Sequence, residues 1–224
     1  MAEAPAQGYQ SGEPDSRRSE AHRQGEDEQS GVQEADGGGL MQALTTTQYQ
    51  TLIRTIREGS GTLRANPRCA AVLTAEANLG MRIGDILRLK LSDIVEDGGR
   101  YRLNIIEEKT GKRRTFTVPP TLYNYFRDYC RDQNISPDER MFPICVYAVQ
   151  KHLKKVCDLL GYKNISTHSF RKWYATDIYN ASGHDIVLVQ QLLQHSSPMV
   201  TRRYIGISDE RIEAAIAKHV NIVV

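Results

Sequence analysis

Residues 1–40 show no apolar period; they are rich in Gly, Gln, Ser, Glu and Ala and close on "DGGG". A segment with so little apolar surface cannot offset the entropy of ordering, so a disordered tail is expected there. From about Leu40 the pattern changes. In "TTTQYQTLIRTIREG", Leu52, Ile53 and Ile56 fall on one helical face, and Gly59 is the stop signal. "NPRCAAVLTAEANLG" opens with Asn66 as cap and Pro67 at the first helical position, and closes at Gly80. "RIGDILRLKL" reads as a second, short helix.

The period then shortens to two. Strands are expected around Ile94, over residues 101–107 and over residues 115–118, divided by turns at "EDGGR" and "KTGKR". Tyr101, Leu103 and Ile105 alternate with polar neighbours, as in a half-buried strand. The remainder reads as helices: "PTLYNYFRDYCRDQ", "VYAVQKHLKKVCDLLG", "THSFRKWYATDIYNA", "HDIVLVQQLLQ", "SPMVTRRY" and "SDERIEAAIAKHV". The predicted body, residues 41–224, is mostly α with a small three-stranded antiparallel sheet, an α+β arrangement without internal repeats.

Composition narrows the function. A chain of 224 residues can bury one core, or one core and a tail. Apolar runs such as "AAVL" and "DIVLV" are too short to span a bilayer, and the N-terminus has no apolar signal region. No membrane partner is expected, and the location expected is cytoplasmic. Cys69, Cys130, Cys145 and Cys157 include no CxxC pair, so reduced thiols and no structural zinc are expected. Charge is uneven: residues 1–40 carry nine Asp and Glu against three Arg, whereas residues 41–224 carry 26 Lys and Arg against 18 Asp and Glu. The basic part suits a polyanion, although a solvated basic surface would look the same.

Four stretches could carry chemistry. In "THSFR", Thr167 is placed to cap a helix, with His168 and Arg171 at i and i+3 on one face. Basic side chains in a first turn oppose the helix dipole, and a bound anion would reverse that penalty. Arg82, after Gly80, has the same frustrated position. In "EEKTGKRR", Thr110-Gly111 makes a tight turn with Lys109 at its tip, where Lys112, Arg113 and Arg114 could touch phosphates. In "LLQHSSPMVTRRYIG", His195 precedes a cap at Ser197, Pro198 starts a helix, and Tyr204 comes near its end before Gly206. Each stretch alone also fits an ordinary surface or packed residue.

Taken in order, these residues resemble the tyrosine recombinase (phage integrase) family. "LGMRIGDILRLKLSDI" looks like its first arginine motif, "THSFRKWYAT" like its HxxR motif, and "LLQHSSPMVTRRY" like its closing histidine and tyrosine motif. The resemblance covers about residues 66–210 and implies the family's catalytic-domain fold. It implies DNA strand cleavage and rejoining through a covalent 3′-phosphotyrosine. Tyr204 would be the nucleophile, Arg82 and Arg171 the phosphate clamps, His168 the base, Lys109 the acid and His195 a hydrogen-bond donor. Such chemistry needs neither ATP nor metal; the sequence offers no P-loop and no carboxylate cluster suited to two metal ions, so no cofactor is expected.

The implied partner is double-stranded DNA, bound by a homo-oligomer. The amphipathic segment at residues 209–224, with Ile212, Ala215, Ile216 and Val220 on one side, would dock on a neighbouring subunit. The implied source is bacterial or phage, with the protein associated with the nucleoid. Two departures stand out. Gln194 occupies a position where the family commonly has glycine, and no separate helical clamp domain is expected before the catalytic domain. That second departure keeps two alternatives open: a DNA-binding accessory or integrase remnant with little turnover, and relaxation of the type IB topoisomerase kind.

Overall fold

A computed structural model describes residues 43–206, all within Gly39–Val224, the second of the chain's two units. The expected tail at residues 1–40 and the expected helix at residues 208–220 lie outside the described residues.

Helix α1, Thr46–Glu58, begins with a reciprocal cap: Thr45 Oγ1 accepts from the Gln48 amide, and Gln48 Oε1 accepts from the Thr45 amide. Leu52 and Ile56 are wholly buried and Ile53 partly so. Helix α2, Pro67–Leu79, is capped by Asn66, whose Oδ1 accepts from the Cys69 amide at 3.0 Å. It is buried on almost every side, because alanines at 70, 71, 75 and 77 let α1 and a later helix approach closely.

The expected helix over "RIGDILRLKL" is a single turn, α3, Ile83–Ile86. Beyond it Leu87, Leu89 and Leu91 are buried while Arg88 and Lys90 between them are exposed. That alternation of two cannot be met by a helix, so the chain opens and enters the sheet through a 3₁₀ turn at Leu91–Asp93.

The sheet runs in the order β1 (Ile94–Asp97), β2 (Arg100–Ile106), β3 (Arg113–Val118), all antiparallel. Gly98 and Gly99, both at positive φ, form the two-residue turn of the first hairpin. Leu103 pairs with Ile94 on one side and Phe116 on the other, and is fully buried.

The helices α4 (Pro120–Asp132), α5 (Val146–Leu160), α6 (Thr167–Ala181), α7 (Ile186–Leu193) and α8 (Pro198–Ile205) follow as expected. Phe126, Phe142 and Phe170 anchor the main core, and α7 and α8 pack on α6 around Ala175, Val189 and Leu193. Ser166, not Thr167, caps α6. Ser169 closes the capping box by accepting from the Ser166 amide at 3.2 Å, and Thr167 is buried as the first helical residue. The four cysteines are free thiols. Among the described residues, no helix is long and apolar enough to cross a membrane.

Candidate active site

Arg82 is the cap position of α3, two residues after Gly80. Gly80 ends α2 in the left-handed region (φ +57), and a Cβ there would run into the Tyr174 ring of α6. This turn aims Arg82 at the sheet. Its Nη1 donates to Glu107 Oε2 at 2.7 Å, while 27% of the side chain stays accessible.

Glu107 lies just past β2 and is completely buried. It accepts from Arg82, from Thr110 Oγ1 at 3.0 Å, and through Oε1 from Arg114 Nη1 at 3.1 Å. Burial opposes its charge, but hydrogen bonds from Thr110, Arg82 and Arg114 hold the carboxyl below its ordinary range.

Arg114 is not available to DNA. It is only 3% exposed, and its Nη2 donates to the carbonyls of Leu79 (3.0 Å) and Leu192 (2.7 Å). Its expected contact with phosphate is therefore replaced by a structural role: it ties the end of α2 and the end of α7 to the sheet. Lys109, Lys112 and Arg113 are exposed, Lys109 within the turn that joins β2 to β3.

On α6, Arg171 is 3% exposed and donates through Nη2 to the Leu193 carbonyl at 3.1 Å. Its Nη1 has no hydrogen-bond partner among the described residues. Its charge acts on Glu76, a buried carboxyl of α2 whose Oε2 is also without a partner there; burial pushes that carboxyl well up, against the pull of Arg171. His168 is half-buried, one turn before Arg171.

Gln194 ends α7 in the left-handed region (φ 54), and its Nε2 donates to the Arg113 carbonyl at 3.3 Å. The side chain thus links α7 to β3, which a glycine could not do. His195 follows, with Nδ1 3.0 Å from Oγ1 of the buried Thr201. Burial, then the charges of Arg171 and Arg82, bring the imidazole down to about 4.

Tyr204 is carried by α8. Its ring meets His195 edge to face at 5.3 Å, and its hydroxyl donates weakly to the His168 carbonyl at 3.4 Å. Burial pushes the phenol up to about 12; Arg171 and Arg82 pull it down, and Glu76 pushes it further up.

The structure thus brings Arg82, His168, Arg171, His195 and Tyr204 into one neighbourhood, from four separate parts of the chain. Lys109 stays at the edge, exposed on its hairpin. Among the described residues, no group of three or more His, Cys, Asp or Glu could hold a metal. Sequence reasoning missed Glu107, Glu76 and Thr201. For Glu107 a signal existed: residues 101, 103, 105 and 107 share the inward face of β2 and its extension, and an acid on that face needs partners.

Comparison with known proteins identifies the family. The model of the phage integrase family matches residues 42–211. The probable integrase/recombinase YoeC of Bacillus subtilis (strain 168) is 30% identical over 160 residues, 68% of this chain and 85% of that protein. Tyrosine recombinase XerC of Caldanaerobacter subterraneus is 30% identical over 165 residues, 66% of this chain and 44% of that protein. Among solved structures, the XerH site-specific recombinase bound to palindromic difH substrate superposes with a TM-score of 0.61 at 20% identity, covering 84% of this chain and 56% of that one. The catalytic domain of bacteriophage HP1 integrase does so with a TM-score of 0.55 at 18% identity, covering 80% and 95%. The chain belongs to the phage integrase family. It spans most of YoeC but less than half of that XerC.

Proposed function

We propose that this chain is a site-specific DNA recombinase or integrase that cleaves and rejoins strands through a covalent 3′-phosphotyrosine on Tyr204. The observation that most supports the reading is the setting of Tyr204: its ring packs against His195, its hydroxyl meets the His168 carbonyl, and Arg171 and Arg82 act on its charge.

Chemistry follows from the side chains. Tyr204 Oη attacks phosphorus and gives its proton to His168. The bond from phosphorus to the 5′ oxygen breaks, its electron pair stays on that oxygen, and Lys109 supplies the proton the oxygen needs. Charge grows on the non-bridging oxygens during attack, and planar guanidinium forks meet it best. Arg171 brings a donor with no hydrogen-bond partner among the described residues, and Arg82 brings a half-buried one. In this reading Thr201, 3.0 Å from Nδ1, donates to it, so the neutral His195 ring keeps its proton on Nε2 and offers it to a phosphate oxygen. That role needs no positive charge, so it persists at every pH well above 4. The new phosphodiester on tyrosine conserves the energy of the one broken, and rejoining reverses the steps.

In this reading residues 41–224 form the catalytic domain and the partner is double-stranded DNA, with Lys112 and Arg113 on the backbone beside the site. The protein acts as a homo-oligomer on DNA, residues 209–224 docking on a neighbour, and works in the cytoplasm at the nucleoid. Covalent capture tests the reading. Nicked duplexes from a random-sequence pool are incubated with the protein, adducts are isolated under denaturing conditions, and the linked peptide is sequenced. The expected linkage is at Tyr204; linkage at another residue, or no adduct, contradicts the proposal.

A further inference from the structure

We propose that Glu107 is the positioning residue that delivers Lys109 to the leaving 5′ oxygen, by fastening the base of its hairpin to Arg82. The inference rests on the function proposed above and adds a residue that no motif supplied.

The geometry is specific. One completely buried carboxylate receives three side-chain donors: Arg82, Thr110 and Arg114. Arg114 is tied in turn to the Leu79 and Leu192 carbonyls, so its side of the carboxylate is anchored to α2 and α7. Thr110 is in the turn itself, directly after Lys109. The Glu107 backbone closes that turn from both sides: its amide donates to Lys112 at 3.0 Å and its carbonyl accepts from Gly111 at 2.9 Å. A second tie follows at the next residue, where the Glu108 amide donates to Asp85 of α3 at 2.9 Å. Lys109 itself is exposed, as a group that must reach toward DNA should be.

A surface lysine on a free hairpin samples many positions. General acid catalysis needs its ammonium within hydrogen-bond reach of one oxygen. Fixing the turn at Glu107 narrows the search, and the same carboxylate sets the distance between the turn and the phosphate clamp Arg82. Hydrogen bonds from Thr110, Arg82 and Arg114 keep the carboxylate charged against its burial. A carboxamide in its place would keep the shape but lose the charge-assisted bonds to Arg82 and Arg114.

Leaving-group chemistry separates this role from a merely structural one. A 5′-bridging sulfur leaves as a thiolate, with a thiol pKa of about 8.5, and needs no proton from lysine. Single-turnover adduct formation is measured on the duplex that wild type captures, with bridging oxygen or bridging sulfur. Wild type, Glu107→Gln, Thr110→Val and Lys109→Ala are compared. Thr110→Val removes the donor to Glu107 and the acceptor of the Lys112 amide at an exposed position, and leaves the buried charges in place.

On oxygen, Lys109→Ala is expected to lose about 10²-fold or more, and Glu107→Gln and Thr110→Val smaller multiples in that order. On sulfur, each of the three is expected to recover most of its own loss relative to wild type. Equal losses on oxygen and sulfur for Glu107→Gln and Thr110→Val would overturn the coupling to Lys109, as would no loss on oxygen. Absence of any wild-type adduct would instead remove the proposed function beneath it.

Discussion

Arg114 and Arg113 are neighbours of the same type with opposite fates. Arg113 is exposed; Arg114 is buried against Glu107. Removing one partner of a buried pair leaves the other charge without compensation, which typically costs about 3–5 kcal/mol. Arg114→Ala is therefore expected to destabilise by about that amount in urea unfolding, and Arg113→Ala by no more than about 0.5 kcal/mol. The distinction was not drawn from the sequence, where both were grouped with Lys112 as phosphate contacts. Arg114, Phe116 and Val118 alternate on the face of β3 that also carries the core. Composition cannot see this, because it counts both arginines toward the same basic surface. Glu76 was not legible: α2 is buried on nearly all sides, so no period marks a charged residue as special. Its folded carboxyl titrates above the unfolded one, so its contribution is fully present below the ordinary carboxylate range and is lost as pH rises through the raised value. Glu76→Gln should escape that loss. Thermal melts from pH 5 to pH 8 are expected to show the variant gaining stability relative to wild type as pH rises; a variant less stable throughout would mean that Glu76 is ionised as the partner of Arg171.

Helix ends were read well except at α6, where Ser166 rather than Thr167 is the cap, and helix lengths less well. Asn66 with Pro67, the stops at Gly59 and Gly80, and the start at Pro198 all stand as expected, because caps depend on local hydrogen bonds. The short helix after Arg82 was overestimated because "ILRLKL" suits either period; only packing against the sheet selects alternation. The five-residue neighbourhood followed from motif order, whereas the hydrogen bonds inside it, such as Thr201 to His195, depend on how α7 meets α8. The joint between α2 and α3 is the most sensitive of these elements. Gly80 combines a left-handed backbone with a ring at its Cα, two residues before Arg82. Gly80→Ala is expected to cost about 1–3 kcal/mol from backbone strain, with a further loss of strand cleavage as Arg82 shifts. Melting and cleavage assays on the same preparation check both; unchanged cleavage would show that the joint does not set the position of Arg82.

Charge across the molecule decides how the protein meets a polyanion. Residues 41–224 have a surplus of basic residues, but Arg114 and nearly all of Arg171 are withdrawn from the surface. The exposed Lys112 and Arg113 lie along an open groove of about 600 Å³ that also borders His195. If they contact phosphates, Lys112→Ala and Arg113→Ala should each weaken DNA binding on all sequences alike. Each should also reduce the slope of log affinity against log salt by about 1. Titration by fluorescence anisotropy between 50 and 200 mM salt reads this directly; an unchanged slope would place both residues off the DNA. Charge asymmetry alone left a solvated basic surface equally open; the family was legible in the order of its motifs. Which arginines face the solvent required the fold.

The central claim is that Tyr204 attacks DNA. Its most direct test is a nicked suicide duplex, chosen from the captured pool, incubated with wild type and with Tyr204→Phe and resolved on a denaturing gel. The change removes one hydroxyl and keeps the ring that packs against His195. Wild type is expected to give a covalent protein–DNA band and Tyr204→Phe none, with equal retardation of DNA by both on a native gel. A covalent band of undiminished intensity in Tyr204→Phe would contradict the claim.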